Sequence, residues 1–132
     1  MSPLPITIIV VEVGRRAQVR ELFASNGSRL EHMQALVSGY VDRVEVSPGV
    51  DAWFNDEGLL LGLPLNRCIP AYDQPGEWRI HGDLFLAGHD GKGNTVSLTG
   101  EQVREWMPRL RAEDPVAALE MDLMRMVLRG QR

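Results

Sequence analysis

The sequence contains a single cysteine, Cys68, and it lacks apolar runs long enough to cross a membrane. One cysteine excludes a disulfide framework within the chain and a cysteine-rich zinc site. The apolar run at residues 6–11 is far shorter than the roughly 20 residues that a membrane-spanning helix needs. The residues before it include two prolines and no basic cluster, unlike a signal peptide. We therefore expect a cytoplasmic protein, without membrane contacts, whose cysteine is reduced.

An excess of positive charge is also absent. The 132 residues carry 14 basic and 18 acidic side chains, which give a formal net charge of −4. Nucleic-acid binding through phosphate contacts needs clustered lysine and arginine, so this balance argues against a nucleic-acid partner. The acidity is concentrated, because residues 42–90 carry three arginines and nine acids. Such a region favours a basic protein partner by speeding the encounter.

Strand patterns dominate the first two thirds of the chain. Residues 6–11 form a nearly unbroken β-branched run, which is typical of a buried strand, and residues 18–22 alternate as its hairpin partner. Residues 59–65 are apolar but interrupted by glycine and proline, so they predict an irregular buried segment or a short helix. Residues 69–77 predict a loop. Further strands are predicted at residues 40–46, 50–54, 78–80, 82–88 and 95–98.

The first predicted helix spans about residues 28–38. Ser28 and Glu31 have the spacing of a capping box, in which the serine hydroxyl accepts from a helical N–H group and the glutamate reaches back. Gly39 stands where a left-handed C-terminal cap is favoured. Apolar residues recur between these ends at helical spacing, so one face of the helix is expected to pack on the sheet.

Two further helices are predicted in the last part of the chain. One begins at Thr99, with Gln102 as its capping-box partner, and runs towards Leu110. The other begins at Asp114, where the proline that follows suits a first helical turn. This last predicted helix has an apolar face that includes several methionines, and we expect that face to pack on the sheet or on a partner.

The order of these elements predicts the fold class. Strands joined by tight turns favour an antiparallel sheet. We therefore predict an α+β fold, with a small, mainly antiparallel sheet, one short helix packed on it and two C-terminal helices. Residues 1–98 are predicted to form the core domain. Residues 99–132 are predicted to form a helical extension that packs on the core or on a partner.

One polar cluster is the candidate site for a ligand or a partner. Asn55, Asp56 and Glu57 precede the interrupted apolar segment, and Asn66 and Arg67 follow it. If that segment folds back, the arginine meets the acids and offers a bidentate fork to a ligand. The alternative is an ordinary polar turn together with a structural arginine.

The other reactive side chains predict no catalytic residue, no metal site and no cofactor. His81 and His89 would lie about 26 Å apart on a straight strand, which is too far for one ion. Cys68 has no histidine near it in the sequence to act as its base, which favours a buried structural cysteine. The glycines around residues 88–93 lack the spacing of a phosphate-binding loop.

Four blocks of the sequence resemble one family of short domains. The first block is residues 8–14, and the second is residues 30–40, a short helix that ends in glycine and is followed by a tyrosine. The third block spans residues 55–67, and the fourth spans residues 80–88. In this order they are similar to uncharacterised domains of bacteriophages, plasmids and bacterial genomes, catalogued as a domain of unknown function. The resemblance covers about residues 6–100.

The resemblance implies a mobile-element context and brings no catalytic residue with it. We expect a non-enzymatic, cytosolic interaction protein of phage or mobile-element type, acting through contacts with a protein partner or through self-association. The alternative is a small-ligand-binding domain or an enzyme that uses the cluster of Asp56, Glu57, Asn66 and Arg67. An enzyme would need a pocket in which these side chains converge.

Overall fold

A computed structural model describes residues 4–110. The elements in chain order are β1 (Ile6–Val11), β2 (Gln18–Leu22), α1 (Leu30–Val37), β3 (Val41–Ser47), β4 (Val50–Asn55), β5 (Leu65–Pro70), β6 (Glu77–His81), β7 (Leu84–His89), β8 (Thr95–Val96) and α2 (Gly100–Leu110). The predicted α+β class is confirmed. The helix predicted from Asp114 lies outside the described residues.

Six strands form one antiparallel sheet. Its main path has the order β2–β1–β7–β4–β3, and β8 pairs with β7. The predicted hairpin of the first two strands is confirmed, with Ile6 opposite Leu22. The predicted central strand is confirmed as β7, in which residues 84–88 are all buried. A separate two-stranded sheet joins β5 and β6.

The large sheet is covered on both faces. Side chains alternate along a strand, so Ile8 of β1 packs on α1 while Ile9 packs on the opposite side. The opposite face is covered by residues of the β5–β6 hairpin and of α2, namely Ile69, Ile80, Trp106 and Leu110. Neither helix in the described part of the chain has the length or the apolarity that crossing a membrane takes.

The N-terminal end of α1 differs from the prediction. Arg29 is the N-cap and its own side chain makes no capping hydrogen bond, so the predicted capping box of Ser28 and Glu31 is wrong. The Ser28 hydroxyl accepts instead from the N–H group of Leu30, the first residue of the helix, at 3.2 Å. The backbone of Ser28 instead exchanges two hydrogen bonds with Ser25 across a two-residue turn. Because its N–H and carbonyl groups belong to this turn, the helix begins after it.

The C-terminal end of α1 differs too. Ser38, not Gly39, takes the left-handed conformation, with φ of 60°. Gly39 is needed for space instead, because a Cβ there would lie 2.6 Å from the side-chain nitrogen of Asn55. The glycine therefore permits a close approach between α1 and β4.

The chain between β4 and β6 departs furthest from the prediction. Both ends of the predicted loop at 69–77 are strand, with Ile69 opposite Trp78. Residues 56–62, which we call the leucine loop, form consecutive turns and are irregular as predicted. They are not buried, because Leu59, Leu60 and Leu61 are 75, 88 and 58% exposed.

Helix α2 begins as predicted. The Thr99 N–H group donates to the side-chain oxygen of Gln102 at 2.8 Å, and the Gln102 N–H group donates to the Thr99 hydroxyl at 3.1 Å. Trp106 and Leu110 of this helix are buried in the core. The first helix of the predicted extension thus packs on the sheet, while the domain boundary at residue 98 stays a prediction.

The capping box gives a first test of local stability. Thr99→Ala should lower the free energy of unfolding by about 1 kcal/mol, because it leaves a helical N–H group without its acceptor. Ser28→Ala is the matched control and should cost less, since the Ser28 hydroxyl accepts one exposed hydrogen bond, from the Leu30 N–H group at 3.2 Å, and belongs to no reciprocal capping box. Urea unfolding followed by tryptophan fluorescence measures both, and equal losses would contradict the assignment of the two caps.

Candidate functional site

The leucine loop is closed by hydrogen bonds. The buried Asn55 side chain accepts from the Glu57 N–H group at 2.8 Å and donates to the Val37 carbonyl at 3.1 Å. At the other end, the Leu63 N–H group donates to the Gly58 carbonyl at 3.0 Å. These bonds fix the loop to the end of α1 and give it a defined shape.

The same loop packs closely on β6. A Cβ at Gly58 would lie 2.6 Å from the carbonyl oxygen of His81, so only glycine fits without a backbone shift. The His81 ring nitrogen Nδ1 lies 2.9 Å from the Leu63 carbonyl oxygen. The exposed leucines therefore stand on a loop that is itself bound to the sheet below it.

The surface around the leucines combines apolar and acidic groups. Asp56 and Glu57 are exposed in the same loop. Tyr40 is 69% exposed, and its carbonyl accepts from the Asp56 N–H group at 2.9 Å. A cleft of about 270 Å³ beside the loop is lined in part by Asp56, Leu59 and Arg79.

The other half of the predicted site lies in the interior. Asn66 is 1% and Arg67 is 2% exposed. The Asn66 side-chain nitrogen donates to the carbonyls of Val11 and Gly82 at 2.8 and 3.0 Å. The two amino groups of the Arg67 guanidinium donate to four oxygens at 2.8 to 3.3 Å: the carbonyls of Asn66, Arg15 and Leu110, and the Asn66 side-chain oxygen.

The two halves of the predicted cluster thus have different surroundings. Asn55, Asp56 and Glu57 belong to the turn that begins the leucine loop, where two of them are exposed. Asn66 and Arg67 join β5 to β1 and α2 in the interior. This placement favours the structural-arginine alternative, and the shared ligand site stays a prediction.

A second cluster of reactive side chains was not predicted. Glu45, Asp51 and His89 place one ligand-type atom each within 4.8 Å of one another. His89 lies between the two acids, with Nδ1 2.9 Å from the Asp51 carboxylate and Nε2 3.2 Å from the Glu45 carboxylate. The Asp51 side chain is 6% exposed, and an Arg43 guanidinium nitrogen lies 3.6 Å from its carboxylate. We call these four residues the acid–histidine cluster.

Strand pairing explains both the cluster and its absence from the prediction. Glu45 and Asp51 face each other across the β3–β4 hairpin, a neighbourhood that the turn at residues 47–49 could have indicated. His89 lies at the end of β7, which pairs with β4. The backbone N–H group of His89 donates to the Gly49 carbonyl at 2.9 Å. The pairing of β4 with β7 joins segments that are distant in the sequence, so no local sequence pattern indicates it.

Asp90 completes the surroundings of the cluster. Its carboxylate accepts from the backbone and side chain of Asn94 and from the Lys92 N–H group. These bonds, with the Asn94 backbone bond as the largest influence, hold the pKa of Asp90 below its ordinary value. An aspartate is ionised at neutral pH even at its ordinary pKa, so Asp90 adds a negative charge beside His89.

Comparison with known proteins identifies the family. The model of the family described as Domain of unknown function (DUF3846) matches residues 6–111. The chain belongs to this family. No curated protein and no solved structure matches it. The DUF3846 match includes α2 as well as the leucine loop and the acid–histidine cluster, so both surfaces lie within the family domain.

Proposed function

We propose that this DUF3846 domain binds another protein through the leucine loop, as a non-enzymatic, cytoplasmic interaction module of phage or mobile-element type. The proposal is supported by three consecutive leucines that are 58 to 88% exposed. Clustered large apolar side chains on a surface are characteristic of protein-interaction sites. The loop is closed by hydrogen bonds and packs on β6, so a partner needs to order little of it on binding.

Charge favours a partner that differs from this chain. Asp56 and Glu57 are exposed beside the leucines, and residues 42–90 are acidic as a whole. A two-fold contact between identical loops would bring these carboxylates together, and like charges repel. The expected partner is a protein with an apolar cleft and basic side chains at the edge of that cleft.

Site-specific crosslinking tests the proposal. A photo-activated crosslinking residue at position 60 should capture one protein in cells of the organism that encodes the domain. Position 72 is the matched control, because Tyr72 is 45% exposed and lies outside the leucine loop. The purified partner should bind the Leu59→Ser, Leu60→Ser, Leu61→Ser triple variant at least about tenfold more weakly, since burial of one leucine is worth roughly 1.5–3 kcal/mol.

The same experiment separates the competing outcomes. The triple variant should keep its unfolding free energy, because all three side chains are exposed, so weaker binding would not reflect misfolding. Capture of a second copy of the chain would replace the proposal with self-association. Equal capture from positions 60 and 72, or no capture from position 60, would overturn the loop as the contact surface.

A further inference from the structure

We propose that Glu45 and His89 bind a divalent cation of the zinc type, with Asp51 as the residue that orients the histidine ring. The site lies on the β3, β4 and β7 strands and does not depend on the leucine loop. It borders an open cleft of about 450 Å³, which Arg43 and Asp90 also line.

The spacing of the two ligand atoms suits a metal ion. His89 Nε2 and a Glu45 carboxylate oxygen lie 3.2 Å apart. Zinc binds imidazole nitrogen and carboxylate oxygen at about 2.0–2.2 Å, so two ligands of a tetrahedral ion lie roughly 3.3 Å apart. An ion can therefore replace this hydrogen bond with little movement of either side chain, and the cleft leaves room for water as further ligands.

Both ligands are already oriented by neighbouring groups. The buried Asp51 carboxylate lies 2.9 Å from His89 Nδ1, so in the metal-bound state it can accept the Nδ1 proton while the Nε2 lone pair faces the ion beside Glu45. This is the arrangement of a carboxylate–histidine–metal unit, in which the outer carboxylate also makes the imidazole a stronger ligand. The Gly49 N–H group donates to the Glu45 carboxylate at 3.4 Å.

Charge in the cleft favours a cation. Three carboxylates line it, those of Glu45, Asp51 and Asp90, against the single guanidinium of Arg43. Arg43 lies over the Trp53 ring at 5.3 Å and is 43% exposed, so part of its charge is screened by solvent. A mixed nitrogen and oxygen ligand set suits zinc and its neighbours in the periodic table better than Mg²⁺ or Ca²⁺, which prefer all-oxygen sites.

Calorimetric titration of the untagged protein with Zn²⁺ tests the site. We expect one ion per chain and much weaker binding of Mg²⁺. His89→Ala and Glu45→Gln should remove the binding, and Asp51→Asn should weaken it by about 10- to 100-fold, the usual cost of losing an orienting carboxylate. His32→Ala is the matched control, because His32 hydrogen-bonds to Phe23 elsewhere in the fold and should bind Zn²⁺ as the wild type does.

Two further measurements separate metal binding from a structural role. Arg43→Met keeps the side-chain stem and removes the opposing charge, so it should raise the affinity for Zn²⁺, a gain that no purely structural contact predicts. Co²⁺ should give the visible absorption bands of a low-coordinate site.

Glu45→Gln affects a half-exposed side chain and should stay folded. Absence of saturable Zn²⁺ binding, or binding that survives His89→Ala, would overturn the proposal.

Discussion

Replacing Arg67 with alanine should lower the free energy of unfolding by about 3–5 kcal/mol, out of roughly 5–15 kcal/mol for a typical domain. The Arg67 guanidinium donates to carbonyls of the β1–β2 turn and the end of α2 as well as to Asn66. Alanine leaves these buried oxygens without their donor and opens a cavity in the core. Urea unfolding followed by tryptophan fluorescence measures the loss.

Two variants show whether the loss comes from the hydrogen bonds of Arg67. Arg67→Lys keeps a positive charge but not the planar five-donor group, so its stability should lie between those of the wild type and Arg67→Ala. Arg16→Ala removes an exposed arginine and should change the unfolding free energy by less than about 0.5 kcal/mol. A loss of under about 1 kcal/mol for Arg67→Ala would show that water satisfies the same oxygens.

Replacing Trp106 with alanine should cost a similar amount, about 3–5 kcal/mol. The Trp106 side chain is 1% exposed and packs in the cluster between the large sheet and α2. Its indole N–H group also donates to the Ser47 hydroxyl at 3.0 Å, a bond that ties α2 to the end of β3. The variant therefore loses apolar burial and leaves a buried hydroxyl without its donor.

A double-mutant cycle separates the two contributions of Trp106. Trp106→Phe keeps most of the apolar ring and removes the indole donor, so it should cost less than alanine. Combining it with Ser47→Ala should give a total smaller than the sum of the single losses, because both remove the same hydrogen bond. Leu60→Ala, at a position 88% exposed, is the apolar control and should leave stability unchanged. Strict additivity in the cycle would argue against the Trp106–Ser47 bond.

Features that depend on neighbours a few residues apart were predictable. The α2 capping box spans four residues, and the buried strands β1 and β7 follow from their own apolar runs. Ser28 shows where such reasoning fails, because a competing turn with Ser25 occupies the backbone groups on which the predicted cap depended. A local motif indicates a compatible structure, and the surrounding chain decides whether that structure forms.

Burial was less predictable than secondary structure. Leu59, Leu60 and Leu61 have the composition of a core segment, yet the loop closed by Asn55 holds them in solvent. Arginine is a residue type that usually lies on the surface, yet carbonyl groups from three parts of the chain surround Arg67. Both outcomes depend on contacts between distant residues, which the order of residues along the chain does not report.

The placement of β1 has a consequence for how the protein is made in the cell. β1 precedes almost all of the described chain, but β7 pairs with one of its edges. The Thr7 N–H group also donates to the Ser97 hydroxyl, and the Thr7 carbonyl accepts from the Leu98 N–H group. During synthesis the β-branched run of β1 emerges before β7 and is unpaired on that edge, and an exposed run of this kind is prone to aggregate. The neighbouring strand β2 is close in sequence and can pair with β1 first, which places the charged Arg20 and Glu21 beside this run. Substitutions that neutralise β2 should therefore lower soluble yield more than they lower the stability of the finished fold.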